Sequence, residues 1–294
     1  MLKFEPISLE HKEIYKDYYK KSCPRGCEMS FGNLFLWGEQ KVAIEGDFMF
    51  FLSTFSKSFY PFPLGAGDKK QAIEKIMADA KERGIPLVIT SLCEQDKTFL
   101  EQNFPDTFEF SYNDGSFDYV YDINDLADLL GKKYHKKRTH LNNFKKAHQN
   151  YRIEPFNNEN LGSIRQLVEG WYSQKEGEQS SIEYEKKVFQ KALANFSALD
   201  MEGLVVLDED EVIAVTFASP IDENTFDVHF EKAKREVDGA YVVINNEFAK
   251  YIRNKYPNVK YLNREEDMGI EGLRKSKQSY YPHHQVEKYQ AKLK

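Results

Sequence analysis

Acidic and basic side chains crowd into one short stretch, Asn263-Arg264-Glu265-Glu266-Asp267, with Arg274, Lys277 and Tyr280 close behind. Carboxylates beside an open cleft recognise an amine or take its proton, and a fixed guanidinium or ammonium stabilises negative charge that develops in a reaction. The stretch begins where a strand should end and runs through a polar loop into a short helix, which is where α/β proteins place ligands. Arg274 and Lys277, three apart, share a face of that helix. The plainer use of the same residues is structural, with Arg264 and Arg274 paired to neighbouring carboxylates so that the loop is fastened.

A second constellation is cationic. Between Gly131 and Ile153 there are eight lysines and arginines and no aspartate or glutamate. Leu130, Tyr134, Leu141 and Phe144 recur at helical spacing, so the segment reads as an amphipathic helix. Its other face carries Lys132, Lys133, His135, Lys136, Lys137, Arg138 and His140. That face suits phosphates of an RNA, a cofactor or a lipid headgroup; the alternative is a solvated helix joining two domains, although solvated helices ordinarily mix charge signs. A third candidate is the loop 231–240, between an expected strand and a helix N-terminus, where Arg235, Gly239 and Ala240 could receive a phosphate, or where the glycine simply starts the helix. No G-x-S-x-G elbow, H-E-x-x-H or Walker sequence occurs, and His283 and His284 are expected to be exposed rather than metal-bound.

These groups need a scaffold, and 294 residues make two domains the expectation. A composition of 41% hydrophobic and 30% charged residues fits globular folding rather than disorder. Strands are expected at 41–45 and 48–53 around a Gly46-Asp47 hairpin turn, then at 59–64. A helix follows Asp68 and stops at Gly84, with further elements at 87–90, 94–103, 107–112 and 118–121. In the second half, helices are expected at 161–176 and 182–196 and strands at 203–207, 212–218 and 225–230. A helix from Ala240 through Ile252 comes next, then a strand at 259–262, a helix at 270–277 and a last strand at 286–289. Each half thus reads as antiparallel strands, a helix, a further strand, a helix and a closing strand, an α/β mixed sheet with helices on both faces.

Cys23, Cys27 and Cys93 are odd in number, which favours reduced, non-catalytic thiols over a disulfide framework, and Cys23 and Cys27 lack zinc-ligand spacing. The net charge of −6 argues against a general nucleic-acid binder and confines any such role to the basic segment. No apolar run approaches the roughly 18 residues of a spanning helix, and acidic residues interrupt the N-terminus where a secretory signal would be apolar, so a cytoplasmic protein is expected.

Two dense motifs, GKKYHKKRTH at 131–140 and NREEDMGIEGLRKSKQSY at 263–280, together with SFGNLFLW at 30–37, PLG at 63–65 and FDYVY at 117–121, resemble the phosphatidylglycerol lysyltransferase C-terminal domain family in its short soluble bacterial branch. The resemblance spans nearly the whole chain. It implies two tandem GNAT-like acyltransferase domains, as in the Fem-type aminoacyl transferases, at 1–123 and 149–294, joined by a basic linker helix at 124–148. It also implies transfer of an aminoacyl group from aminoacyl-tRNA, or of an acyl group from acyl-CoA, to an amine or hydroxyl of a small molecule or lipid headgroup. In such a reaction Glu265 or Asp267 holds the acceptor amine or takes its proton, and Arg264, Arg274 or Lys277 stabilises the oxyanion. Asn263, Glu266, Tyr280 and the basic face bind substrate. Against the GNAT pyrophosphate loop R/Q-x-x-G-x-G/A, Arg235 and Ala240 match while Asp238 replaces the first glycine and Gly239 fills the free position after it, so an aminoacyl-tRNA donor is favoured over CoA. The alternative is a non-catalytic nucleotide- or RNA-binding protein on the same duplicated fold.

Overall fold

A computed structural model describes residues 1–23, 26–54, 57–175 and 178–294. The chain divides into two compact units, one of residues 1–118, 266–270 and 285–294, the other of residues 119–265 and 271–284. Among the described residues no helix is long and apolar enough to cross a membrane.

In the first unit, Gln40–Glu45 and Phe48–Ser53 pair in antiparallel register around Gly46, whose φ of 59° suits the tight turn expected there. With Glu5–Pro6 and Leu64–Gly65 they form a four-stranded sheet. The expected strand at 59–64 is instead two short pieces, because Tyr60–Pro61 joins a different sheet from Leu64–Gly65. Pro61 and Pro63 lack the N–H that a continuous ladder needs. The second sheet runs Tyr60–Pro61, Val88–Leu92, Tyr289–Leu293, Phe108–Tyr112, so the C-terminal strand is clamped between strands from the first half. The helix Lys69–Arg83 is capped by Asp68, whose side chain accepts from the Gln71 N–H, and ends at Gly84 with φ 65°. It buries Ala72, Ile73, Ile76 and Ala80 against Phe48, Phe50, Tyr60, Phe62 and Ile89. Each large apolar side chain so buried is worth about 1.5–3 kcal/mol.

The second unit is built on a twisted sheet whose neighbours run Asp118–Asp122, Tyr261–Asn263, Thr225–Ala233, Glu211–Pro220, Glu202–Asp208, Arg152–Pro155. One pairing is parallel, that of Thr225–Ala233 with Tyr261–Asn263. The helix Ala240–Lys255 covers one face through Val243, Ile244, Phe248 and Ile252, which meet Phe226, Val228 and Ala233. The helices Leu161–Ser173 and Gln179–Ala194 also belong to this unit; the expected helical residue Glu176 lies outside the described residues. The segment 124–148, expected as a linker, packs within this unit. Ile123, Leu126, Ala127 and Phe144 enter its core, and Asn246 ties the Ile123–Asp128 helix by donating to the carbonyls of Leu126 and Ala127 at 2.7 Å.

A β-bulge decides which side chains face that helix. Phe217 pairs with Phe230 but Ala218 pairs with Val228, so His229 is an extra residue in its strand. Alternation restarts after it. Glu231 and Ala233 therefore share the face of Phe226 and Val228, whereas Lys232 meets Glu185 of the Gln179–Ala194 helix at 2.5 Å.

Candidate functional site

The parallel strands pair over only three residues, Thr225 to Tyr261, Phe226 to Leu262 and Asp227 to Asn263. Thr225–Ala233 continues beyond that ladder, while the other chain turns away at Glu265, which has φ 58°. The sheet is therefore open between them, and Glu231 and Arg264 meet there. Arg264 Nη2 lies 2.7 Å from Glu231 Oε1, with both side chains only 12% exposed. Asn245, on the helix Ala240–Lys255, donates to Glu231 Oε2 at 3.2 Å. The guanidinium also lies over the rings of Tyr280 and Tyr121, 4.9 and 5.6 Å from their centroids.

Lys137 is a second cation in this place. Its Nζ sits 3.5 Å from the Tyr280 ring centroid and donates to Ser279 Oγ at 2.7 Å. Burial and the neighbouring Arg264 bring its pKa down to about 8, with Glu231 pulling the other way. Burial pushes the phenols of Tyr121 and Tyr280 well up, so both remain neutral donors at ordinary pH. Arg264 Nη1 and Asn245 Oδ1 are buried with no hydrogen-bond partner among the described residues. Two cations against one carboxylate, with an unfilled guanidinium donor, make a place suited to an anion or to a carbonyl oxygen acquiring charge.

The residues around Arg264 hold it in position. Lys277, 7% exposed, donates its ammonium protons to the backbone carbonyls of Arg264 and Glu265, the latter at 3.0 Å. Lys277, expected to stabilise an oxyanion, here anchors the loop backbone with its ammonium. Asn263 Oδ1 accepts from the Glu265 N–H at 2.8 Å, and Tyr121 donates to the Lys277 carbonyl at 2.8 Å. Arg274 is half-buried on the helix Glu271–Gln278. Glu265 Oε1 lies 3.5 Å from His229 Nδ1, and His229 Nε2 is 2.7 Å from Ser219 Oγ, with Asp227 Oδ2 3.6 Å from the same Nδ1.

Glu266 and Asp267 belong to the first unit. Asp267 is fully buried and its Oδ1 accepts from the Gly269 N–H at 2.7 Å, shaping a turn in which Met268 and Gly269 both have positive φ. Asp267, expected to hold an amine, here shapes this turn with its carboxylate. Glu266 faces a buried ammonium instead, with Lys288 Nζ at 3.9 Å; the same Nζ is 2.5 Å from Asp118 and 2.7 Å from Glu28. Burial opposes the charge on Lys288, yet Cys27, Glu28, Asp118 and Glu266 hold its pKa well above the usual lysine value.

The basic segment begins with a 3₁₀ turn, Lys132–Tyr134, and continues as the helix His135–Ala147. Its cations are not equivalent. Lys133 pairs with Asp125 at 2.8 Å, Arg138 donates to the carbonyls of Leu129 and Gly131, and His140 faces Asp238 at 3.2 Å. Lys132, His135 and Lys136 are exposed. The expected continuous phosphate face therefore shrinks, because local carboxylates and carbonyls take several of its members and Lys137 turns inward.

At the third candidate, Gly239 caps the helix Ala240–Lys255 with φ 84°, and a Cβ there would meet His140 O and Phe144 Cβ at 3.0 Å. The Ala240 N–H donates to Val237 O at 3.2 Å. Close packing thus accounts for the glycine, and the Ala240 amide is occupied. Arg235 lines a cavity of about 350 Å³ with Ser163, Gln166, Trp171, Gln174 and Lys234, near the lower end of small-ligand pockets. Lys232, Lys175 and Arg235 surround the Trp171 ring at 3.7, 5.4 and 5.5 Å, and its indole N–H donates to Tyr241 Oη at 2.7 Å. Sequence reading gave no role to Trp171, His229 or Ser219. A lone tryptophan on a helix carries no signal, and the pairing of Ser219 with His229 depends on strand register.

The chain matches the family described as phosphatidylglycerol lysyltransferase, C-terminal, over residues 20–292. An uncharacterised protein of Mycoplasmoides gallisepticum is 24% identical over 184 residues, a match covering 62% of this chain and 58% of that relative. Among solved structures, a conserved protein of unknown function from Bacteroides thetaiotaomicron is 36% identical, with all of both chains covered and a TM-score of 0.92. L-PGS from Bacillus licheniformis is 16% identical over 96% of this chain and 91% of its own, with a TM-score of 0.67. The fold is shared with a tandem GNAT protein from the clavulanic acid biosynthesis pathway, 11% identical over 99% and 98% of the two chains at TM-score 0.52. FemX has it too, 10% identical over 98% and 97% at TM-score 0.61. The tandem GNAT-like α/β fold and the Fem-type likeness expected from the sequence are therefore both found, and the chain belongs to the phosphatidylglycerol lysyltransferase C-terminal family.

Proposed function

We propose that this protein transfers an aminoacyl group from an aminoacyl-tRNA to an amine or hydroxyl acceptor. The observation that carries the reading is the unfilled, buried Nη1 of Arg264 beside the opening between two parallel strands. In the reaction the acceptor's nitrogen or oxygen attacks the ester carbonyl, the carbonyl oxygen becomes an oxyanion, and the bond to the tRNA ribose oxygen then breaks. Arg264 supplies the oxyanion's hydrogen bond, Glu231 holds the guanidinium, and Lys277 holds the backbone that presents it. Glu265, backed by His229, takes the acceptor proton, and the leaving ribose oxygen is protonated in turn. Exposed Lys132, His135 and Lys136 meet RNA phosphates, and the Trp171 cavity has the aromatic and cationic lining to receive a nucleotide of the donor. The reading sets the protein in the cytoplasm, where charged tRNA is available.

The test is donor consumption. Aminoacyl-tRNA carrying a labelled aminoacyl group is incubated with the protein and with phosphatidylglycerol vesicles, polyamines or peptides in turn, with acetyl-CoA as the competing donor. Label should move to one acceptor class and stay on tRNA with Arg264→Met. Tight RNA binding without consumption of either donor would favour the non-catalytic nucleotide- or RNA-binding alternative.

A further inference from the structure

The three cysteines divide into a pair and a single residue, and the pair is not the one closest in sequence. Cys27 turns to Asp118, its Sγ 3.2 Å from Oδ1 and its backbone N–H donating to Oδ2 at 2.7 Å. Cys23, just after the helix Lys12–Lys20, places its Sγ 2.7 Å from that of Cys93, 70 residues later and at the start of the helix Glu94–Asn103. Both are free cysteines and half-buried. Asp96 Oδ2 lies 3.1 Å from Cys93 Sγ and 3.5 Å from Cys23 Sγ, with Lys69 Nζ 3.7 Å from the other oxygen of that carboxylate.

The separation discriminates between two uses of such a trio. Two thiolates on a tetrahedral zinc, with bonds of about 2.3 Å, stand roughly 3.7 Å apart, so a metal would have to push these sulfurs away from each other. A disulfide needs about 2.0 Å, so the sulfurs have only about 0.7 Å still to travel. We propose that Cys23 and Cys93 are a reversible disulfide site, closed by a low-molecular-weight disulfide such as oxidised glutathione. Cys93 as thiolate attacks one sulfur of the reagent, whose S–S bond breaks and whose other half leaves as a thiolate. Cys23 as thiolate then attacks the Cys93 sulfur of the mixed disulfide and expels the second half. Two protein thiols are oxidised, one reagent disulfide is reduced to two thiols, and the two protons of the protein thiols pass through solvent to the departing thiolates. The hydrogen bond from Cys23 lowers the Cys93 pKa and marks Cys93 as the attacking group. The bond ties Cys23, just after the Lys12–Lys20 helix, to the start of the Glu94–Asn103 helix and closes a long loop.

The experiment equilibrates the purified chain in glutathione buffers of stepped ratio, blocks remaining thiols by alkylation, and maps the peptides. The expected result is a Cys23–Cys93 linked peptide with Cys27 alkylated, and a melting temperature on the order of 5 °C higher than that of the reduced protein. Cys93→Ser should abolish both effects; Cys23→Ser serves as the second variant, since the first alters a helix start. Alkylation of both cysteines at the most oxidising ratio, a stable glutathione adduct that does not resolve, or a bridge through Cys27 would each overturn the proposal. So would a copurifying zinc ion whose removal by chelator is needed before the thiols react.

Discussion

Arg264 and Glu231 face each other at 2.7 Å across the open end of the two parallel strands, each nearly buried, and the bulge at His229 is what makes the meeting possible. Without the extra residue, Glu231 would point to the opposite face of the sheet, away from Asn245 and Arg264. Burial makes the pairing asymmetric to disturb. Taking away the carboxylate leaves a guanidinium in a low-dielectric place, whereas taking away the guanidinium leaves a carboxylate still bonded to Asn245.

Glu231→Ala should therefore cost about 3–5 kcal/mol in urea-induced unfolding. Arg264→Met should stay folded, with a smaller loss of stability, and lose at least about tenfold in turnover once an acceptor is in hand. Equal stability losses with undiminished turnover in Arg264→Met would make this pair purely structural.

The salt dependence of RNA binding should be shallow for so basic a segment. Among residues 132–138, with Lys133 on Asp125, Arg138 on carbonyls and Lys137 turned inward, Lys132 and Lys136 are the cations left to the phosphates. The log-log slope contributed by this segment should be on the order of −2, and Lys132→Glu with Lys136→Glu should remove it. Filter binding from low to moderate salt reads the slope directly, and a much steeper dependence that survives the double substitution would locate the RNA surface elsewhere.

Lys137 gives a pH signature. Its folded-state pKa of about 8 lies below the ordinary lysine value of 10.5, so between those two pH values the unfolded chain binds more protons than the folded one. Its contribution to stability should accordingly rise with pH across that window. Anion affinity should do the reverse and weaken as pH climbs through about 8, because the site loses one of its two cations. Isothermal titration with inorganic phosphate, comparing wild type and Lys137→Arg, measures this, and the arginine variant should show a flat profile over the same range.

Gly239 is fixed by space and by backbone angle together. Gly239→Ala places a Cβ 3.0 Å from His140 O and Phe144 Cβ at a φ of 84°, and should lower stability by about 1–3 kcal/mol. Chemical denaturation measures the loss. A neutral result would mean that the His135–Ala147 helix shifts without cost.

How much of this was legible in the amino-acid order follows from the range of the forces involved. The Gly46-Asp47 hairpin, the Asp68-capped helix ending at Gly84 and the amphipathic helix at 135–147 rest on neighbours a few residues apart, and all are present. So is the tandem fold, carried by two dense motifs. The concentration of Asn263, Arg264 and Glu265 at a strand end was visible for the same reason. Which of those side chains face the opening was not visible, because that depends on one inserted residue in another strand, on the divergence of two parallel strands, and on Lys277 reaching back to the Arg264 carbonyl. Asp267 reads as a ligand in the sequence, and only the structure shows that it also shapes a turn, with Oδ1 accepting from the Gly269 amide two residues on. Composition alone suggested eight equivalent cations; only tertiary packing assigns Asp125 to Lys133, two carbonyls to Arg138 and the Tyr280 ring to Lys137. Charge is written in the residue types, but burial and partners set what each charge can do, and those arise from contacts between segments far apart in the chain.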